Sequence, residues 1–303
     1  MTTQTRKAWI ITGPTSGIGH RTALELARHG TLILVGRSPA KLEDVEKEIN
    51  ARPGGHAVCV VCDFADLASV RRAAEQIAAL GLPIAGLLNN AGIMPTAART
   101  TSQGWDLAFT TNHLGPFAFT QALIPHLPEG ANIVFTCSAV EDPERKPAVM
   151  AGFRGARYLS AEDSLHGRWA PGGSAKPGYD AYATSKQANL ATVLAFARET
   201  PRLRFNAVEP GFNPGTGLSR DANPLLKLLA TYVLSPLAPL MPGGSTPKRA
   251  ARMIAQVLTD PSGGTGVYHD EKGHPMHGST QVQDPAFQDR LVTETRTLLK
   301  QLS

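Results

Sequence analysis

The chain has 303 residues, 42% hydrophobic and 18% charged, enough to bury one large α/β core. Its formal charge of +5 is scattered without a basic block, which excludes an obvious nucleic-acid surface, and no apolar run is long enough to span a bilayer. Three cysteines are too few for a disulfide framework, and the start MTTQTRKAWIITG lacks an export signal's long apolar stretch, so a cytoplasmic, reducing compartment is expected.

In chain order, short β-branched runs alternate with amphipathic stretches. Strand AWIIT precedes a helix through HRTALELARHG, TLILV precedes AKLEDVEKEIN, and HAVCVVC precedes a helix from Leu67 to Leu80. IAGLLNN, a long helix ending near ALIPHL, and ANIVFTCS complete the series. Strands separated by helices imply a parallel sheet, and strands apolar on both faces imply helices on each side. The rhythm breaks over about 139–178, rich in Gly, Pro and charge and without period. A helix from about Tyr179 to Glu199 and a strand at RFNAVEP restore it. A second irregular region, about 212–244, has a strongly apolar middle; the helix PKRAARMIAQVLTD, a short strand near GVYH and a charged helix after Pro285 close the chain. With no repeat and no linker, residues 1–303 are expected to form one domain.

Three motifs carry chemistry. TGPTSGIG places Gly13, Gly17 and Gly19 between the first strand and first helix, where free amides at a helix N-terminus suit a pyrophosphate; a plain strand-to-helix turn is the competing reading. In YDAYATSKQAN, residues four apart share a helix face, so Tyr182 stands with Lys186, whereas Tyr179 meets only Ala183. An ammonium beside a phenol lowers its pKa from about 10 toward neutrality, making a usable acid and base. Ser138, at the carboxyl edge of NIVFTCS, supplies a second donor to a carbonyl gathering charge.

The glycine spacing, with Ser138, Tyr182 and Lys186 following in order, resembles the short-chain dehydrogenase/reductase family from about Lys7 to Pro210. GTGVYHDEKG and the long loops resemble, more loosely, the branch of retinol dehydrogenases and protochlorophyllide reductase. The resemblance implies a Rossmann-type doubly wound parallel sheet. Thr15, Ser16 and Ile18 would join Gly13, Gly17 and Gly19 around a dinucleotide. Gly36 stands where NAD-preferring members carry an acid, and Arg37 follows; a guanidinium clamps a 2′-phosphate that a carboxylate repels, so NADP(H) is expected. Asp63, with Phe64, would hold the adenine; Asn90, Ala91 and Gly92 would lie along the ribose, which Lys186 also grips. Asn112 would be the fourth catalytic member, its side chain or backbone supporting a relay water. Tyr182 would also lie against the cofactor, as would Pro210, Gly211 and Thr216, the last displaced by the extra Pro214 and Gly215.

The implied activity is NADPH-dependent reduction of a ketone or aldehyde on a hydrophobic, polycyclic substrate, with Tyr182 as acid/base. The alternative is a non-catalytic NADP-binding sensor or scaffold, which would be free to lose Tyr182 or Lys186; both are kept. An extended-type epimerase or dehydratase uses a different glycine spacing. The insertion about 139–178 lies beside the substrate pocket and can block a helical dimer face, so monomer and homodimer both stand open. PLLKLLATYVLSPLAPL reads as an apolar lid rather than a membrane contact, having little basic face. Cys59 and Cys62, three apart in a strand, point to opposite faces and are core cysteines; His269, His274 and His277 with Asp270 read as surface-turn residues, and no metal is expected.

Overall fold

The structure, a computed structural model, describes residues 6–213 and 243–302. Seven parallel strands carry the sheet: β1 (Ala8–Thr12), β2 (Thr31–Gly36), β3 (Ala57–Val61), β4 (Ile84–Asn89), β5 (Asn132–Thr136), β6 (Arg204–Val208) and β7 (Tyr268–His269). A two-residue antiparallel strand, β8 (Pro275–Met276), extends it to the order β3-β2-β1-β4-β5-β6-β7-β8. The order reverses between β1 and β4, which places a crevice at their carboxyl ends.

Successive strand residues feed two separate cores, as a period of two requires. Ile10, Ile33, Leu87, Ile133 and Phe205 join the cluster under α3 (Leu67–Ala79), α5 (Gly115–Leu123) and α8 (Pro177–Glu199). Ile11, Leu34, Leu88, Val134 and Val208 join the other, under α1 (Gly17–Leu26), α2 (Pro39–Asn50) and α9 (Pro247–Thr259). Cys62 belongs to the first cluster and Cys59 packs on the second, so the pair does divide between the two faces.

Three departures from the sequence pattern have plain causes. The long helix before β5 is α4 (Leu107–Phe109) joined to α5 through a π turn, Thr110–Leu114, an irregularity that leaves no trace in apolar period. The insertion holds two short helices, α6 (Lys146–Met150) and α7 (Ala161–Leu165), too short to show periodicity. Strand β3 lies at the sheet edge, so Val61 is exposed and the strand is not apolar on both faces in the packed sense. Beyond β8, α10 (Thr280–Gln283) and α11 (Pro285–Gln301) complete the chain, and α11 packs along α8 and α7.

Candidate active site

Gly13 and Gly17 have φ of +67° and +57°, conformations that a side chain would strain. Gly19 answers a different need: a Cβ there would lie 2.2 Å from the Gly13 carbonyl oxygen and 2.5 Å from Asn90 Nδ2, so only glycine lets α1 sit this close to the turn. The buried Thr12 hydroxyl accepts the Asn90 and Ala91 N–H groups, each at 2.9 Å, while Asn90 Nδ2 donates to the Thr12 carbonyl at 3.0 Å. The end of β4 is thereby stitched to the end of β1. Ser16 caps α1 in position but its side chain makes no cap bond, so the helix offers its first amides to a ligand.

Arg37 follows β2, exposed, with no hydrogen bond or ion pair to another described residue. A free cation beside free amides suits the phosphates of a dinucleotide. Asp63 Oδ1 accepts the Ala65 N–H at 2.9 Å, and Phe64 packs edge-on against Phe119 at 5.5 Å, so Phe64 can offer a ligand only its backbone. Thr216 and nearly all of the expected lid, 214–242, lie outside the described residues.

At the other end of the crevice, α8 brings Tyr182 and Lys186 to the carboxyl edge of β5. The Ser138 side chain stands beside Tyr182, close enough to favour its ionised form. Lys186 Nζ lies 5.4 Å from the centre of the Tyr182 ring and donates to the Thr136 carbonyl at 2.7 Å. The expected lowering of the phenol is corrected here. Burial and the nearby Glu209 carboxylate push Tyr182 up, outweighing the opposite pull of Ser138, and burial pulls Lys186 down. Among the protein's own groups, Tyr182 is held protonated.

Asn112 lies in the π turn. Its Oδ1 accepts the Ile93 N–H at 2.8 Å, and Nδ2 donates to Ile93 O at 2.9 Å and to Ser185 Oγ at 3.1 Å. With the side chain fully engaged, only its main-chain carbonyl remains for a relay, and Asn189 Nδ2 steadies that carbonyl at 2.9 Å. Because Asn189 turns its amide toward Asn112, its Oδ1 faces His113, whose Nδ1 must be the donor at 3.1 Å. Burial lowers His113 to about 4.

The insertion walls the open side. Phe153 stacks on Tyr179 with centroids 4.3 Å apart and lies 6.4 Å from the Tyr182 ring; Met94 and Val140 pack alongside. Sequence reasoning missed Thr12, Ser185, Asn189 and Glu209. Asn189 was findable, three residues beyond Lys186 on one helix face; Glu209 stood in plain sight in VEPG.

Fold and site together define a Rossmann-type oxidoreductase with Ser138, Tyr182 and Lys186 gathered at one end of its crevice. The family model described as short chain dehydrogenase matches residues 7–149. A short-chain dehydrogenase/reductase of Armillaria gallica is 32% identical over 77% of this chain and 73% of its own length. DnrU of Streptomyces sp. strain C5, provisionally named a daunorubicin C-13 ketoreductase, is 32% identical over 89% and 85%. The chloroplastic protochlorophyllide reductase of Chlamydomonas reinhardtii is 29% identical over 86% and 68%, bearing out the looser likeness to that branch. Among solved structures, a short chain dehydrogenase from Burkholderia cenocepacia in complex with NADP shares the fold, with TM-score 0.63 and 24% identity over 88% and 97%. This chain belongs to the short-chain dehydrogenase/reductase family.

Proposed function

We propose that the protein is an NADPH-dependent reductase of ketones or aldehydes on hydrophobic, ring-bearing substrates, with Tyr182 as general acid. The observation that carries this reading is Tyr182 set beside Ser138 with Lys186 Nζ 5.4 Å from its ring centre, and held protonated by burial and Glu209. A protonated phenol is the form a reductase needs at rest. When bound, the reduced nicotinamide supplies the hydride. The residues do the rest. Ser138 and Tyr182 hold the substrate oxygen, and the Tyr182 proton moves to that oxygen as charge develops on it. Lys186 favours the phenolate so formed and then gives it a proton, which a water held at the Asn112 carbonyl replaces on Lys186. In the reverse direction the phenol must first ionise, which a positively charged oxidised ring beside it would favour.

Arg37, with Gly36 where an acid would stand, supports NADP over NAD. The Phe153–Tyr179 stack and Met94 support a flat apolar substrate, as do the names of DnrU and protochlorophyllide reductase. Residues 139–178 serve as a pocket wall within one domain. Helix α11 clads α8, a face often used for pairing, which supports a monomer. Among the described residues no helix is long and apolar enough to cross a membrane, consistent with a cytoplasmic enzyme.

The test is NADPH consumption against hydrophobic ketones, aldehydes and quinones, with Tyr182→Phe as the blank. Turnover lost in a blank that still binds NADPH supports the assignment. Equal turnover by the blank overturns it, and binding without turnover on any compound in either direction favours a sensor.

A further inference from the structure

Glu209 follows β6 and is only 8% exposed. Its carboxylate collects donors from three separate segments. Oε2 accepts the Ala139 N–H and is reached by the Tyr268 phenol at 3.4 Å; Oε1 accepts the Gly211 N–H at 3.0 Å. Ala139 is the residue after Ser138, and Gly211 closes the corner begun at Pro210. A single side chain therefore ties the serine's turn to the end of the next strand. Burying an ionised carboxylate is costly unless its charge is paired and its oxygens are bonded. The bonds are those three, and the cations acting on it are Arg145 and then the buried Lys186, itself fixed to the carbonyl of Thr136 two residues before Ser138.

We propose that Glu209 is a positioning residue of the reaction, clasping the Ser138 turn to the Pro210–Gly211 corner and so holding a negative charge beside the Ser138, Tyr182 and Lys186 group. The proposal rests on the acid/base reading of Tyr182. The groups facing this carboxylate are Tyr182 and Lys186 from α8, Cys137 after β5, Tyr268 from β7 and Arg145 from the insertion. Glu141 lies behind Tyr268 and Cys137, and Glu271 beside Gly211. Within this group only Lys186 and Arg145 are cations. Removing the Glu209 charge therefore lets Tyr182 ionise at lower pH, since the field opposing its phenolate is gone.

The experiment is a phenolate titration by ultraviolet difference absorbance in protein saturated with NADP⁺, each variant read against its Tyr182→Phe counterpart. Glu209→Gln is expected to lower the Tyr182 midpoint by roughly one pH unit, about tenfold in proton concentration, the scale of one close charge at an effective dielectric near 20. An unchanged midpoint in folded Glu209→Gln overturns the role of its charge. Glu209→Asp keeps the charge but is one methylene too short to span Ala139 and Gly211. It should keep the wild-type midpoint and NADPH affinity while kcat on the best ketone of the panel falls roughly tenfold, about the effect of a small misplacement of a catalytic group. This variant carries the test alone if Glu209→Gln does not fold, and wild-type kcat in it overturns the clasp. Activity surviving in Tyr182→Phe would instead strike the acid/base reading, leaving the two failures distinguishable.

Discussion

His113 is the group whose titration the fold resists most legibly. It is fully buried between Phe109 and Phe117, with ring centroids at 5.1 and 5.7 Å, and its ordinary value of 6.5 falls to about 4 because burial opposes the charged ring. The folded protein keeps it neutral, whereas the unfolded chain takes up a proton near pH 6.5. Stability from this site is therefore complete above pH 6.5 and drains away as pH falls toward 4. The gap of about 2.5 pH units, at ~1.4 kcal/mol each, is worth about 3 kcal/mol. Asp106, the cap of α4, runs the other way: burial pushes it up from 3.8 to about 6, so its contribution is present below pH 3.8 and lost as pH rises through 6. The two windows overlap and partly cancel in the wild type. A difference measurement separates them. His113→Gln removes the imidazole, so its stability relative to wild type should improve by about 3 kcal/mol between pH 7.5 and 4, or about 5 °C in Tm for a chain of this length. Urea or thermal unfolding followed by circular dichroism at stepped pH measures it. Parallel curves for the two proteins would refute the argument that burial keeps His113 neutral.

The cofactor end is equally open to test. Arg37→Asp should weaken NADPH binding at least tenfold while sparing NADH, the scale of losing a charge-assisted phosphate contact, and unchanged preference by fluorescence titration would remove Arg37 from the site. Gly19→Ala forces a methyl against the Gly13 carbonyl, so a loss of about 1–3 kcal/mol in stability and a weaker NADPH Kd are expected; normal values for both would mean α1 can shift without consequence. Thr12→Val keeps the shape but strips the acceptor from the Asn90 and Ala91 amides, at about 1–3 kcal/mol for each left unmet, measured by unfolding and NADPH titration. Burial pushes the Cys59, Cys62 and Cys137 thiols each up to about 12, so an aromatic disulfide reagent at pH 8 should find almost no fast thiol in native protein and all three after unfolding.

What could be read from sequence was whatever repeats or spaces itself along the chain. Alternating strands and helices announced the sheet, and the glycine turn, with Tyr182 and Lys186 one helical turn apart, announced both ends of the crevice. The hidden parts are long-range. Thr12 meets Asn90 across the sheet, and Glu209 meets Ala139 across two strands, pairings that no local pattern encodes. The π turn was invisible because Thr110–Leu114 is locally a good helix whose extra residue is set by packing on α8 and the Asn189 contact. The direction of the Tyr182 shift was misjudged for a related reason: a spacing rule registers the lysine but neither the depth of burial nor a carboxylate twenty-seven residues on.

The cladding of α8 by α11 bears on how the enzyme is made. The first five strands lie within 8–136 and pair mainly with neighbours already synthesised, so the nucleotide cradle can close early. The phenol and ammonium arrive on α8, the clasp waits for Tyr268, and the outer cover of α8, α11, leaves the ribosome later still. At ~5–20 residues per second, the stretch between the fifth strand and the end of α11 takes on the order of ten seconds or more to emerge. During that interval the nascent chain carries an apolar helix without its cover and depends on the exit tunnel or a chaperone to shield it. The protein should gain the ability to hold its nucleotide before it gains the ability to use it.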